Sequence, residues 1–217
     1  MRFRDRRDAG RALARELDRF AAEAPVVLAL PRGGVVVGAE IADALRAPLD
    51  AIVVRKIPAP RSPELALGAV CEMGGEQVHL DPRTVYETGA PDEYLRAESR
   101  RQLDEVRRRE ALYRAGRPPV PISGRTVIVV DDGVATGSTA LVALRAARRA
   151  GAARVVLAVP VASPESVRTL ALDADDLVAL ATPSDFYAVG QFYDDFAQTT
   201  DDEVIRLLAE AGARPPE

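Results

Sequence analysis

Between Val127 and Thr139 the chain reads VIVVDDGVATGST, an apolar run that ends in two adjacent carboxylates and a glycine turn. A helical pattern, ALVALRAARRA, follows at once. At such a turn the first N–H groups of the helix have no backbone partner, and the helix dipole puts its positive end there, which suits a phosphate. Thr136, Ser138 and Thr139 add hydroxyl donors, and Gly137 lets the backbone approach closely. Asp131 and Asp132, one turn away, are acceptors suited to paired sugar hydroxyls. The chemistry implied is that of a sugar phosphate, with the phosphate in the loop and the diol on the aspartates.

Other phosphate motifs fit less well. A P-loop needs GxxxxGK[ST], but Gly133 and Gly137 stand one residue too close and no Lys follows. GxGxxG after the strand is absent. A receiver-type Asp pair needs a downstream Lys, and the single Lys of this chain, Lys56, lies upstream. That lone lysine stands among 28 arginines, and a compact ammonium is not interchangeable with a planar guanidinium.

The positioning elements follow from periodicity. Leu13, Leu17 and Phe20 mark an amphipathic helix over about 8–22. PVVLAL predicts a buried strand near 26–30, PRGG a turn, VVVGAEIADALR a helix and LDAIVVRK a strand near 50–55. This βαβ unit implies a parallel sheet. Residues 57–75, rich in Pro and Gly, read as a long irregular loop with a short hairpin reaching Leu80. A charged helix is expected over 92–116, with i,i+4 pairs such as Asp104–Arg108 and Glu105–Arg109. Strands at 126–132, RVVLAVPVAS and DLVALATP alternate with helices, and 200–212 closes the chain with one more. The expected fold is a doubly wound α/β domain with a mainly parallel sheet.

With these residues in view, VIVVDDGVATGST resembles the PRPP-binding signature of the type I phosphoribosyltransferases. Leu30-Pro-Arg-Gly-Gly34 resembles their pyrophosphate loop, and Val54-Arg55-Lys56 with the loop after it resembles the start of a flexible catalytic loop. The chain is most similar to uncharacterised bacterial members with PRGGVVV, VRKIPAP and PELALGAV segments. The resemblance implies a single domain over 1–217 that transfers a phosphoribosyl group from PRPP to a nitrogenous, heterocyclic acceptor, with Mg²⁺ bound through PRPP and a homodimeric assembly. It assigns the ribose hydroxyls to Asp131 and Asp132, and the 5′-phosphate to Ala135, Thr136, Gly137, Ser138 and Thr139. Pyrophosphate falls to Arg32, Gly33 and Gly34, with Arg55 and Lys56 closing over it from a flexible loop near 57–75. The segment 183–200 resembles a hood, in which Phe186 and Tyr187 would stack on the acceptor; a local aromatic cluster is the competing reading. One position departs from purine-salvage relatives, where Ala135 is often Asp, so Asp185, Asp194 and Asp195 become candidates for the acceptor's proton. A PRPP-sensing regulator of the same fold is the alternative function.

Composition narrows the classes further. A net charge of −4 argues against a nucleic-acid binder. No stretch of 18 apolar residues suggests a membrane span, and the Arg-rich start lacks a signal peptide's apolar run, so a cytoplasmic protein is expected. One Cys, Cys71, and one His, His79, exclude an internal disulfide and a His pair on a metal. Cys71 reads as an apolar filler and His79 as a structural residue.

Overall fold

The computed structural model describes residues 1–212; residues 213–217, counted in the expected domain, lie outside them. In chain order the elements are α1 (Arg6–Leu17), β1 (Val26–Ala29), α2 (Gly33–Ala44), β2 (Leu49–Ala51), β3 (Val54–Ala59), β4 (Ser62–Glu72) and β5 (Glu76–Leu80). After them come α3 (Pro82–Thr88), α4 (Asp92–Arg114), β6 (Thr126–Val130), α5 (Ser138–Arg149), β7 (Arg154–Val161), α6 (Pro164–Leu170), β8 (Asp176–Ala181) and α7 (Asp201–Gly212).

Five strands form one parallel sheet in the order β2-β1-β6-β7-β8. Its strands are covered on both faces, and their side chains divide accordingly. Val27, Ala29, Ile128 and Val130 join one core with Leu13, Leu17 and Ile41. Val26, Leu28, Val127 and Val129 join a second with Ala143, Leu144 and Ala147 of α5. A sheet buried on both sides reads as continuous hydrophobic runs, which is why VVLA and TVIVV carry no alternation. The expected α/β architecture is what the chain adopts.

After β1 the chain moves outward to β2, then returns to lay β6 along the other side of β1. The direction of winding therefore reverses between β1 and β6. In open α/β sheets, the crevice at such a reversal, beyond the carboxyl ends of the strands, is where ligands bind. Both glycine turns singled out above, PRGG after β1 and the Asp-Asp signature after β6, open there.

Two readings of the middle segment need correction. The strand expected over 50–55 is two strands: β2 ends at Ala51, and β3 begins at Val54 in a different sheet. A buried run such as AIVV carries no mark of which neighbour it will pair with. The irregular loop expected over 57–75 is an antiparallel sheet, β3-β4-β5, including the hairpin that reaches Leu80. The ladder shifts register on either side of Pro58, a residue with no N–H to donate, and Tyr94 Oη donates to the Pro58 carbonyl at 2.9 Å. This ribbon is held from both faces: Ile57, Leu67 and Val70 pack with Leu95, Leu103 and Val106 of α4, while Ala69 and Cys71 pack with α5. Of the two expected helix pairs, Glu105–Arg109 forms at 2.7 Å, whereas Asp104 pairs with Arg107 instead.

Candidate functional site

Two helix starts face the crevice at the reversal. The N-cap of α2 is Arg32 and that of α5 is Gly137, and neither helix has a side-chain cap. Asp5, Asp81 and Ser163 close the starts of α1, α3 and α6 with side-chain oxygens, while α4, entered at Pro91 and outside the crevice at the reversal, also lacks a side-chain cap. The Arg32 carbonyl accepts the Val35 N–H at 3.1 Å, and the other first-turn N–H groups of α2 and α5 offer the local positive charge an anion needs. Gly137 adopts φ +79°, a conformation costly for other residues. The peptide between Pro31 and Arg32 is cis.

The two turns are in contact. Gly33 lies so close to the signature that a Cβ there would stand 1.9 Å from Asp132 Oδ2, and a Cβ at Gly34 would meet the Val130 carbonyl at 2.9 Å. Close approach, rather than a left-handed backbone, is what requires glycine at both positions. Leu30 N–H donates to the Val130 carbonyl at 2.8 Å, fixing the turns side by side.

Between the turns sit the paired carboxylates. Asp131 Oδ1 accepts the Asp132 N–H at 2.8 Å. Burial, and then the charge of Asp132, push the Asp131 carboxyl well above the usual carboxylate range. Asp132 is held by a residue that the sequence reading missed: Arg6 Nε donates to Asp132 Oδ2 at 2.7 Å, with the two side chains only 11% and 16% exposed. Tyr193 Oη donates to the Asp132 carbonyl at 2.6 Å. Arg6 stands in an Arg-rich stretch, MRFRDRRD, and nothing in its spacing separates it from its neighbours.

The remaining candidates distribute unevenly. Arg32 points across to α7, its Nη1 at 3.7 Å from Asp201 Oδ1. Thr136 Oγ1 and Ser138 Oγ lie 3.5 Å apart in the exposed loop, and the Ala135 carbonyl accepts from Ser163 Oγ at 2.7 Å. Arg55 and Lys56 do not act on one side: successive strand residues face opposite ways. Arg55 Nε donates to Gln102 Oε1 on α4 at 3.1 Å, away from the signature. Lys56 is exposed, makes no ion pair or hydrogen bond among the described residues, and shares a cross-strand row with Ala69 and His79. That row faces α5, where Arg145 Nη1 lies 3.3 Å from His79 Nδ1.

The aromatic segment divides in two. Phe192 and Tyr193 are buried, and they secure the start of the chain: Phe3 forms a parallel bridge with Tyr193, its ring 5.7 Å away. Phe186 packs on Phe192 at 5.4 Å. Tyr187, by contrast, is 88% exposed. Its loop is shaped by Gln191, whose Oε1 accepts from the N–H groups of Tyr187 and Ala188. The loop rests on the signature, since a Cβ at Gly133 would meet Val189 Cγ1 at 2.5 Å. Asp194 is paired with Arg2, and Asp195 accepts from the Ala197 N–H, so both are engaged away from the loop.

Cys71 and His79 are structural. Burial pushes the Cys71 thiol up to about 12, out of reach of thiolate chemistry at neutral pH. Burial and then Arg145 hold the His79 imidazole below its usual range. No described helix is long and apolar enough to cross a membrane, and no group of three His, Cys, Asp or Glu among the described residues could hold a metal.

Comparisons with known proteins place the chain in a family. Residues 5–197 match the sequence model of the phosphoribosyl transferase domain. Proteins from two strains of Mycobacterium tuberculosis, named provisionally as phosphoribosyl transferases, are 48% identical over 218 residues, covering 97% of this chain and 49% of theirs. The chain thus spans about half the length of the curated relatives it matches. The crystal structure of TT1426 from Thermus thermophilus superposes with a TM-score of 0.83 at 50% identity, covering 97% of this chain and 99% of that one.

Proposed function

The chain belongs to the phosphoribosyl transferase domain family, and from that premise we propose that it transfers a 5-phosphoribosyl group from PRPP to a nitrogenous heterocyclic acceptor, releasing pyrophosphate. One observation carries the reading: two uncapped helix starts flank a pair of carboxylates at the sheet's reversal point. PRPP is an anion at each end with a diol between, so it matches that arrangement group for group.

In this reading the start of α5, with Thr136, Ser138 and Thr139, takes the 5′-phosphate. Asp131 and Asp132 accept from the ribose hydroxyls. Arg32, Gly33 and Gly34 take the pyrophosphate, whose departure leaves an oxocarbenium-like ribose. Stabilising the leaving group and excluding water do most of the catalysis. The exposed β3–β4 tip, residues 60–65, is the part of the ribbon left to move over the pyrophosphate, and the exposed Lys56 side chain brings an ammonium to it. Segment 183–200 forms the hood, and Tyr187 offers an exposed ring to a flat acceptor. With no carboxylate at position 135 and Asp194 and Asp195 engaged elsewhere, the exposed Asp185 stays a candidate to take the acceptor's proton, unless the acceptor arrives already anionic.

In this reading Mg²⁺ arrives bound to the pyrophosphate of PRPP, whose hard phosphate oxygens suit it, and no residue of this chain is assigned to it. Bound Mg²⁺ would supply neutralisation of the pyrophosphate charge.

The test is release of pyrophosphate, followed by phosphorus NMR, from PRPP and Mg²⁺ with a pool of nucleobases and with none. Base-dependent release is expected, and dividing the pool names the acceptor. Absence of both release and PRPP protection against heat overturns the reading; protection without release leaves the PRPP sensor or an enzyme whose acceptor lies outside the pool.

A further inference from the structure

Asp132 is one of two carboxylates assigned to the ribose, yet one of its oxygens is already taken. Arg6 Nε holds Oδ2 at 2.7 Å, while Oδ1 receives no donor from the described backbone or from any basic side chain. The same guanidinium donates from Nη1 to the Ala197 carbonyl at 2.7 Å and lies over the Phe196 ring at 3.9 Å from its centroid. Phe196 stacks on Tyr193 at 5.0 Å, and Tyr193 in turn holds the Asp132 carbonyl. Three stretches distant in sequence, 6, 132 and 193–197, close into one ring of contacts around a largely buried ion pair. Gly33 forms its far wall. A planar fork that hydrogen-bonds a carboxylate and stacks on an aromatic ring is a task that arginine performs and lysine does not.

We propose that Arg6 is a positioning residue, fixing Asp132 through one oxygen so that the other faces a ribose hydroxyl, and tying that carboxylate to the aromatic segment beside the acceptor. This rests on the transferase reading, because the ribose is PRPP's. Arg6 does not touch the reacting atoms; it acts through Asp132. The Asp131 carboxyl already shares a side-chain hydrogen bond with Asp132 and faces Arg6 and Tyr193, so without Arg6 the Asp132 carboxylate is left held by Asp131 alone.

The experiment compares wild type, Arg6→Lys, Arg6→Ala, Asp132→Asn and Arg6→Ala/Asp132→Asn. Arg4→Ala is the control, since Arg4 is exposed and its side chain pairs with Asp8, away from the two carboxylates. PRPP binding is measured by calorimetry, after circular dichroism establishes that each variant folds. Arg6→Ala is expected to weaken PRPP at least about tenfold, Arg6→Lys less, and the double variant no more than the worse single one. Losses that add, or Arg6→Ala binding like wild type, overturn the proposal. A second readout needs no PRPP: carbon NMR titration of the two carboxyls. The upper transition of the pair is expected to rise in Arg6→Ala and not in Arg4→Ala; an unmoved transition overturns the proposal. Wild type that fails to bind PRPP removes the transferase reading, and the titration then still decides whether Arg6 governs the pair.

Discussion

Replacing Gly33 with Ala places a carbon 1.9 Å from Asp132 Oδ2 and 2.6 Å from Arg6 Nε. Ordinary van der Waals contact begins at 3.4 Å, so about 1.5 Å of room must be found. Neither neighbour yields easily. The Asp132 carbonyl is held by Tyr193, and Arg6 is held by the Ala197 carbonyl and the Phe196 ring. Overpacking of this kind costs about 1–3 kcal/mol, and loosening a charged hydrogen bond adds about 1.5–3 kcal/mol. A loss near 3 kcal/mol lowers the melting temperature by about 6–12 °C in a chain of this size. Displacing Asp132 also removes a ribose contact, so PRPP affinity should fall about tenfold to a hundredfold, at about 1.4 kcal/mol per decade. Gly75→Ala is the matching control. Its Cβ meets nothing, but its φ of +115° makes the substitution strained. It should cost about 1–2 kcal/mol of stability and leave PRPP binding alone. Calorimetric binding and thermal melts on both variants decide the matter. Gly33→Ala with wild-type affinity and melting temperature would refute the claim that the two turns form one packed unit.

Asp131→Asn should change how stability depends on pH. The folded-state value of Asp131 lies above its unfolded value, so the native protein keeps a proton that the unfolded chain has released. Raising the pH above the ordinary carboxylate range therefore costs stability until the folded value is passed. The Asn variant lacks that loss, so its melting temperature should gain on wild type as the pH rises above the ordinary carboxylate range; a constant difference contradicts the assignment. Lys56→Ala should stay within about 0.5 kcal/mol of wild type in stability, since the side chain is exposed and unpartnered among the described residues, while kcat falls more than PRPP affinity. Unchanged turnover returns Lys56 to an ordinary surface charge. Tyr187→Ala should raise the acceptor KM about twofold to tenfold with little change in melting, whereas Phe192→Ala should cost about 3–5 kcal/mol. If the two variants behave alike, the division between exposed and buried aromatics is wrong.

The parallel sheet and the crevice were legible because they depend on local features. Continuous apolar runs followed by a helical period, with a glycine turn after β1 and after β6, leave few arrangements other than a wound sheet. Asp131, Asp132 and Gly137 announce themselves through their place at a strand end. The ribbon was hidden because Pro58, Pro60 and Pro63 suggest irregularity, whereas a two-stranded turn with a register shift accommodates all three. Arg55 and Lys56 look like a pair in sequence, but strand geometry separates them, and only a partner such as Gln102 shows which way each faces. Arg6 was invisible for a different reason. Its role depends on a contact across 126 residues, and eight amino acids containing four arginines offer no local cue for it.

The bridge between Phe3 and Tyr193 bears on the order in which the molecule assembles. It closes a loop over residues 3–193. Loop closure grows costlier with length, though slowly, and contacts this distant form late. During synthesis the first residues leave the ribosome long before Tyr193 exists, so Phe3 and Arg6 must wait for nearly everything else. The glycine turns after β1 and β6 meet much earlier, once residue 137 is available. A chain stalled short of β8 would therefore hold a half-built pocket, anion-attracting at both ends but with an unanchored Asp132. Completing that pocket thus waits for residues 193–197, and a chain that stops before them should leave residues 1–5, which lose the Phe192–Asp195 contacts, open to proteolysis.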